Sequence, residues 1–252
     1  MSIPTLLGLI SRGYFPKELP PPFNTRNLAS ISKNPATLPN PFTNPIRETK
    51  NVKHSYLSRS NSRRKLGIVN PIDYVALSVE VINGWTTLKS VFDKSQVSLT
   101  SPKYGGPPGR AFVYRYAKII DNRKTAVRSR ARYLLRADIS QFYHSIYTHS
   151  ISWALHGKLI AKQQRNNQTL LGNRLDKRIQ HSQDKQTIGI PIGPDISFLI
   201  AELILSVCDD QLQNKKISNF TRYIDDYEFG VYPYKKQKGT EIYYKNCLEV
   251  LS

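Results

Sequence analysis

Two aspartates stand side by side at Asp225-Asp226, in a chain with 18 Asp and Glu against 37 Lys and Arg. Adjacent carboxylates repel unless a cation neutralises them. They separate two β-prone runs, Phe220–Ile224 and Tyr227–Tyr232, by the two residues of a tight hairpin. Ordinary turn chemistry also accounts for Asp there, because Asp tolerates turn conformations. A third carboxylate, Asp138, lies within the short apolar run Tyr133–Ile139, where a buried charge needs a partner. Three carboxylates on neighbouring strand ends make an oxygen-rich site for a hard divalent ion. Mg²⁺ favours a few carboxylates together with substrate phosphates. In phosphoryl transfer, two such ions about 3.5–4 Å apart activate the attacking hydroxyl and stabilise the leaving oxygen. This donor type points to Mg²⁺ as the expected cofactor, with Mn²⁺ as a substitute.

Other chemistries find little support. His144, His149 and His156 are five and seven residues apart, not at a metal-binding i, i+4 step. No Gly-x-Ser-x-Gly element accompanies a Ser/His pair, and there is no Gly-x-x-x-x-Gly-Lys loop. The formal charge of +19 points to a polyanionic partner, nucleic acid before anionic membrane. A solvated basic surface is the plainer alternative. From Lys103 to Arg136 there are ten Lys or Arg against one acid, Asp121, with four tyrosines interleaved. Cations for phosphates and rings for stacking suit a single-strand or hybrid groove, with Arg128, Arg130 and Arg132 as candidate contacts. No run of about 18 apolar residues is present, so no membrane span is expected. Cys208 and Cys247 make no disulfide framework or metal knuckle, and a reducing cytoplasm is the simplest setting.

Three segments in order resemble the motifs of reverse transcriptases. Arg136-Ala137-Asp138-Ile139-Ser140-Gln141-Phe142-Tyr143 is similar to the first catalytic motif, an Asp followed by an aromatic pair. Gly189-Ile190-Pro191-Ile192-Gly193-Pro194 resembles the Gly-x-Pro-x-Gly template-and-nucleotide motif. Tyr223-Ile224-Asp225-Asp226 resembles the Tyr-x-Asp-Asp box. The likeness spans roughly residues 60–232. The stretch from Arg12-Gly13-Tyr14-Phe15-Pro16 to Phe23 is similar to the start of bacterial reverse transcriptases of phage defence, the abortive-infection and unknown-group types.

The resemblance implies an α+β fold: a right-hand polymerase palm and fingers, the antiparallel palm sheet backed by helices. It implies RNA and DNA as partners and deoxynucleoside triphosphates as substrates. Asp138 and Asp225 are the main metal ligands in this reading, and Asp226 completes the cluster. Arg63, Arg64 and Lys65 fall where the fingers present cations to a triphosphate, though a solvated basic strand reads the same. Tyr143, five residues after Asp138, falls at the gate that excludes a ribose 2′-hydroxyl, or else is a core aromatic. Gly189, Pro191 and Gly193 shape the loop beside the nascent base pair. Ile192 stands where many members have Gln, which removes a polar contact. Tyr223 supports the primer. A catalytically silent nucleic-acid-binding remnant or subunit stays open as the alternative.

These residues need elements to hold them. Residues 1–60 hold nine of the 16 prolines and read as an irregular proline-rich arm, packed through Tyr14, Phe15, Leu19 and Phe23. Residues 61–111 are expected as the first part of the fingers. They contain a basic strand from Arg63 to Val69 and a helix over Tyr74–Leu88. Residues 112–150 are the first part of the palm, 151–186 the second part of the fingers, and 187–252 the second part of the palm. Asp195–Leu212 is the cleanest helix: Ile196, Leu199, Ile200, Leu203, Ile204 and Val207 recur at helical spacing after Asp195 as N-cap. Gly239–Leu251 reads as one more helix. Reverse transcriptases continue past the Asp-Asp hairpin into a helix, a Lys-bearing strand, a primer-grip hairpin and a helical thumb. About twenty-six residues follow Asp226 here. The expectation is that the thumb is absent, and that full activity needs a longer form or a protein partner to supply it.

Overall fold

The computed structural model describes residues 2–20, 22–31, 38, 42, 48–57, 63–105, 109–114 and 117–231. The N-terminal arm is more regular than its prolines suggest. It contains α1 (Leu6–Gly13), α2 (Arg26–Ile31) and β1 (Val52–Leu57). The Thr5 hydroxyl caps α1 by accepting from the Gly8 N–H at 3.1 Å. Leu9, Ile10 and Tyr14 are buried, whereas Phe23 is more than half exposed. β1 pairs antiparallel with β2 (Arg63–Ile68), placing Ser55 opposite Lys65 and Leu57 opposite Arg63.

The single helix expected over Tyr74–Leu88 is two: α3 (Pro71–Asn83) and α4 (Trp85–Phe92). The Asn70 side chain accepts from the Ile72 N–H at 2.9 Å and Pro71 sits in the first turn, so the helix opens earlier than its apolar pattern suggests. Gly84 divides the pair. Short strands β3 (Lys103–Tyr104) and β4 (Phe112–Val113) then form a two-residue ladder. Most of the basic run becomes α5 (Ala117–Ser129) and β5 (Tyr133–Asp138). Next come α6 (Phe142–Ser145), α7 (Ser150–His156), α8 (Lys158–Gln163), α9 (Leu171–His181) and α10 (Asp195–Asn214), then β6 (Phe220–Tyr223) and β7 (Asp226–Val231). Pro194, not Asp195, occupies the N-cap of α10, and Asp195 is its first residue.

The molecule is thus a mixed α/β protein with small antiparallel sheets. The largest has three strands in the order β5-β7-β6. Residues 97–99 run beside β6, where the Leu99 N–H donates to the Arg222 carbonyl at 2.8 Å. The main core joins α1, α3, α4, α7, α9 and α10 through side chains such as Tyr74, Leu88, Phe92, Ile151, Leu175 and Leu199. Each fully buried aliphatic or aromatic side chain contributes roughly 1.5–3 kcal/mol. A smaller core under the sheet contains Val97, Leu212, Phe220, Tyr227 and Phe229, with the last two rings nearly parallel at 9°. Among the described residues no helix is long and apolar enough to cross a membrane. The helix expected over Gly239–Leu251 lies outside the described residues.

Candidate active site

The sheet brings the three acids together. The β5–β7 register sets Asp138 directly opposite Asp226, and the β6–β7 register sets Tyr223 on the other side of Asp226. The hairpin turn is Ile224-Asp225 rather than Asp225-Asp226, so Asp226 is the first residue of β7 and not a turn residue. The offset has a backbone cause. Ile224 has φ +55°, while Asp225 is not among the residues of positive φ. A two-residue hairpin turn with positive φ only at its first position normally has Gly there, and a β-branched residue conceals that signal.

Asp138 and Asp226 are exposed and Asp225 is half-buried. None of the three forms an ion pair with a described residue. Burial raises the Asp225 carboxyl above the usual carboxylate range, and the charges of Asp138 and Asp226 add to that. Among the described residues no group of three His, Cys, Asp or Glu is arranged to hold a metal ion. The donor chemistry nevertheless fits a hard divalent cation: three carboxylates, two on directly opposed strand positions, with mutual repulsion that a bound cation would relieve.

The acids line one wall of a cleft of about 1170 Å³. Its other walls are Arg63, Arg64 and Lys65 on β2, Tyr143, and the loop Gly189–Ile192. Thus nearly every residue singled out for metal or nucleotide contact faces one space. Gly193 does not line it and instead shapes the end of the loop. Drug-sized ligands occupy pockets of about 300–1,000 Å³, so this cleft lies just above that range. A second cavity of about 390 Å³ meets Asp138 and Asp226 from another side, lined also by Lys124, Arg128, Arg136, Tyr223 and Glu228.

Backbone hydrogen bonds fix the cleft walls to each other. The Gly67 N–H of β2 donates to the Ile192 carbonyl at 2.8 Å. The Ile190 N–H donates to the Tyr143 carbonyl and the Gly189 N–H to the Ile146 carbonyl, both at 2.8 Å. Gly189 has φ +84° and Gly193 has φ +126°, conformations that side chains disfavour. Gly193 also lies against Pro16, which an added Cβ would meet at 2.4 Å. The Tyr143 ring packs on Phe142 and against the main core, and the residue also lines the cleft. Burial raises its phenol well above the ordinary value, so it stays neutral.

Several positioning groups escape motif reading. Arg110 grips the Asp195 carboxylate, with Nε to Oδ1 at 2.9 Å, and donates to the carbonyls of Phe15 at 2.6 Å and Gly193 at 3.1 Å. It thereby ties the N-terminal arm, the loop and α10 together. Gln183 donates to the Gly189 carbonyl at 2.8 Å, and Lys50 and Lys53 also line the cleft. Beneath the hairpin, Arg222 is fully buried between Glu202 and Asp209. The signal available was two acids seven residues apart on one face of the apolar α10, and one cation in an apolar strand.

The cations assigned to nucleic acid are differently employed. Arg128 is bidentate on Glu228, at 2.7 and 2.9 Å, and Arg136 reaches the same carboxylate at 3.3 Å. Arg130 and Arg132 are exposed on the turn between α5 and β5. The Tyr223 hydroxyl shares a hydrogen bond with that of Tyr114 at 3.0 Å, and Lys124 lies 5.6 Å from the Tyr223 ring centre. Burial and the Tyr114 contact push the Tyr223 phenol up to about 12.

Compared with known proteins, the chain matches no protein-family model and no curated protein.

Proposed function

We propose that the chain is a reverse transcriptase-like nucleotidyltransferase that adds deoxynucleotides to the 3′ end of a nucleic acid or to another hydroxyl primer. In this reading the three-stranded sheet belongs to the palm, and residues 61–111 and 151–186 are the fingers. One observation carries it: Asp138 opposite Asp226, with Asp225 in the adjoining turn, none in an ion pair among the described residues and all lining a cleft shared with Arg63, Arg64 and Lys65. Acids and cations lining one cleft match a reaction centre and a polyphosphate. Asp138, Asp225 and Asp226 would hold divalent metal, two Mg²⁺ ions or Mn²⁺ in their place. Bound there, the metal supplies charge neutralisation at the reacting phosphate and acidifies the attacking hydroxyl.

The chain's own residues do the rest. The cations of β2 bind the triphosphate as charge-assisted donors. The Gly189–Gly193 loop, held by Gln183 and Arg110, buttresses the base-pair side. The neutral Tyr143 ring narrows the sugar site. The +19 charge supports capture of RNA and DNA. The likeness of the arm to phage-defence enzymes supports a place in bacterial antiviral defence. The deciding experiment is incorporation of labelled deoxynucleotides by the purified chain in Mg²⁺, with RNA template, with DNA template and with none. Incorporation that Asp225→Asn abolishes supports the reading. Incorporation equal in the wild type and in Asp225→Asn sinks it.

A further inference from the structure

The hairpin carrying Asp225 adopts a conformation its own sequence disfavours. A β-branched residue at φ +55° persists only where its surroundings over-determine it. Both backbone polar groups of Ile224 are held from outside the turn. Its N–H donates to Thr100 Oγ1 at 3.2 Å, and its carbonyl accepts from Arg222 Nη1 at 2.9 Å. Both holders rest on one buried carboxylate. Thr100 Oγ1 donates to Glu202 Oε1 at 2.6 Å, and Arg222 reaches Glu202 at 2.9 and 3.1 Å. Glu202 and Arg222 are fully buried. The remaining guanidinium donors go to Asp209, which Ser95 and the Tyr227 hydroxyl also contact.

We propose that Thr100 and Arg222 are positioning residues that clamp the left-handed turn at Ile224 and thereby aim Asp225 at the metal. This rests on the reading of Asp225 as a metal ligand. The geometry explains why the clamp comes from α10. The first residue of that helix, Asp195, is bound by Arg110, which also holds Gly193, and Glu202 two turns later holds the turn. One rigid helix therefore sets the spacing between the nucleotide loop and the acids.

The test uses Thr100→Val, which keeps side-chain shape and removes the hydroxyl, and Thr100→Ser, which keeps the hydroxyl. Thr100→Ala serves if the valine variant does not fold. The measurements, on the full 252-residue chain, are Mn²⁺ binding by electron paramagnetic resonance and thermal unfolding. Expected is a loss of Mn²⁺ affinity of about tenfold in Thr100→Val, the worth of one good buried hydrogen bond. Thr100→Ser binds as the wild type does. Adding Ile224→Gly to Thr100→Val restores affinity to within about twofold, because Gly adopts positive φ unaided. Unchanged affinity in Thr100→Val, or a loss that Ile224→Gly leaves in place, overturns the clamp while leaving Asp225 as a ligand. Wild-type binding that is absent, or indifferent to Asp225→Asn, overturns the metal reading and the clamp with it.

Discussion

Asp225 bears much of the electrostatic cost of the site, since it is half-buried and flanked by two like charges. Asp225→Asn and Asp138→Asn remove a charge from a place where charges repel. As proposed metal ligands, each is expected to lower nucleotide incorporation by about a hundredfold to a thousandfold when replaced, an effect of the size seen when a key electrostatic group is removed. The melting temperature should be unchanged or slightly raised. Incorporation assays beside thermal unfolding check this, and a variant that is inactive because it is unfolded would contradict it. Tyr143 tests a different property of the same cleft. The residue lines the space and its ring packs on Phe142, so Tyr143→Ala both opens the sugar site and leaves a gap. The expected outcome is a higher ratio of ribonucleotide to deoxynucleotide incorporation, at a stability cost of about 2–4 kcal/mol. An unchanged ratio in an active, folded variant returns Tyr143 to a packing role alone.

At the scale of elements, the hairpin, the loop and α10 decide whether those residues meet. The two β-prone runs around the acids were legible, and so was the apolar stripe of α10. The one-residue shift of the turn was not, because it depends on Ile224 being held at positive φ by Thr100 and Arg222, which are distant in sequence or buried. Arg222→Met should cost about 3–5 kcal/mol, because Glu202 and Asp209 would remain buried without their cation; chemical denaturation measures this. Gly193→Ala is expected to destabilise by about 1–3 kcal/mol, since both φ +126° and the contact with Pro16 oppose a Cβ. The tie between α5 and β7 has a pH signature. Arg128 donates to Glu228 and holds its carboxyl below the usual range. A depressed carboxylate contributes stability above its unfolded value, about 4.5, and loses it as pH falls through the folded one. Arg128→Met should therefore unfold more readily than the wild type near pH 7, with the two curves converging at pH values below 4. Parallel curves across that range would mean that the ion pair contributes nothing.

At the scale of the whole molecule, the proposed association with nucleic acid is expected to be salt-dependent, because the formal charge is +19. A plot of log affinity for a single-stranded oligonucleotide against log salt is expected to be linear, with a slope set by the number of phosphates neutralised. Arg130→Ala with Arg132→Ala should lower that slope by about one to two, as each lost contact releases fewer counterions. A salt-independent affinity would remove the electrostatic reading. Composition and local pattern were enough to determine the charge, the absence of a long apolar span, the strands around the acids and the Gly-Pro loop, because each depends on neighbours in the chain. They were not enough for the arm, which reads as irregular yet forms α1 and α2, because its prolines flank these helices without interrupting them and Leu9, Ile10 and Tyr14 are buried in the core. Nor could they show that Asp138 pairs with Asp226, that the cations of β2 line one cleft with both, or that Arg128 is engaged by Glu228. Those are matters of strand register and of contacts between residues about a hundred positions apart, which only the folded chain sets, because burial and ion pairing act through space and not along the sequence.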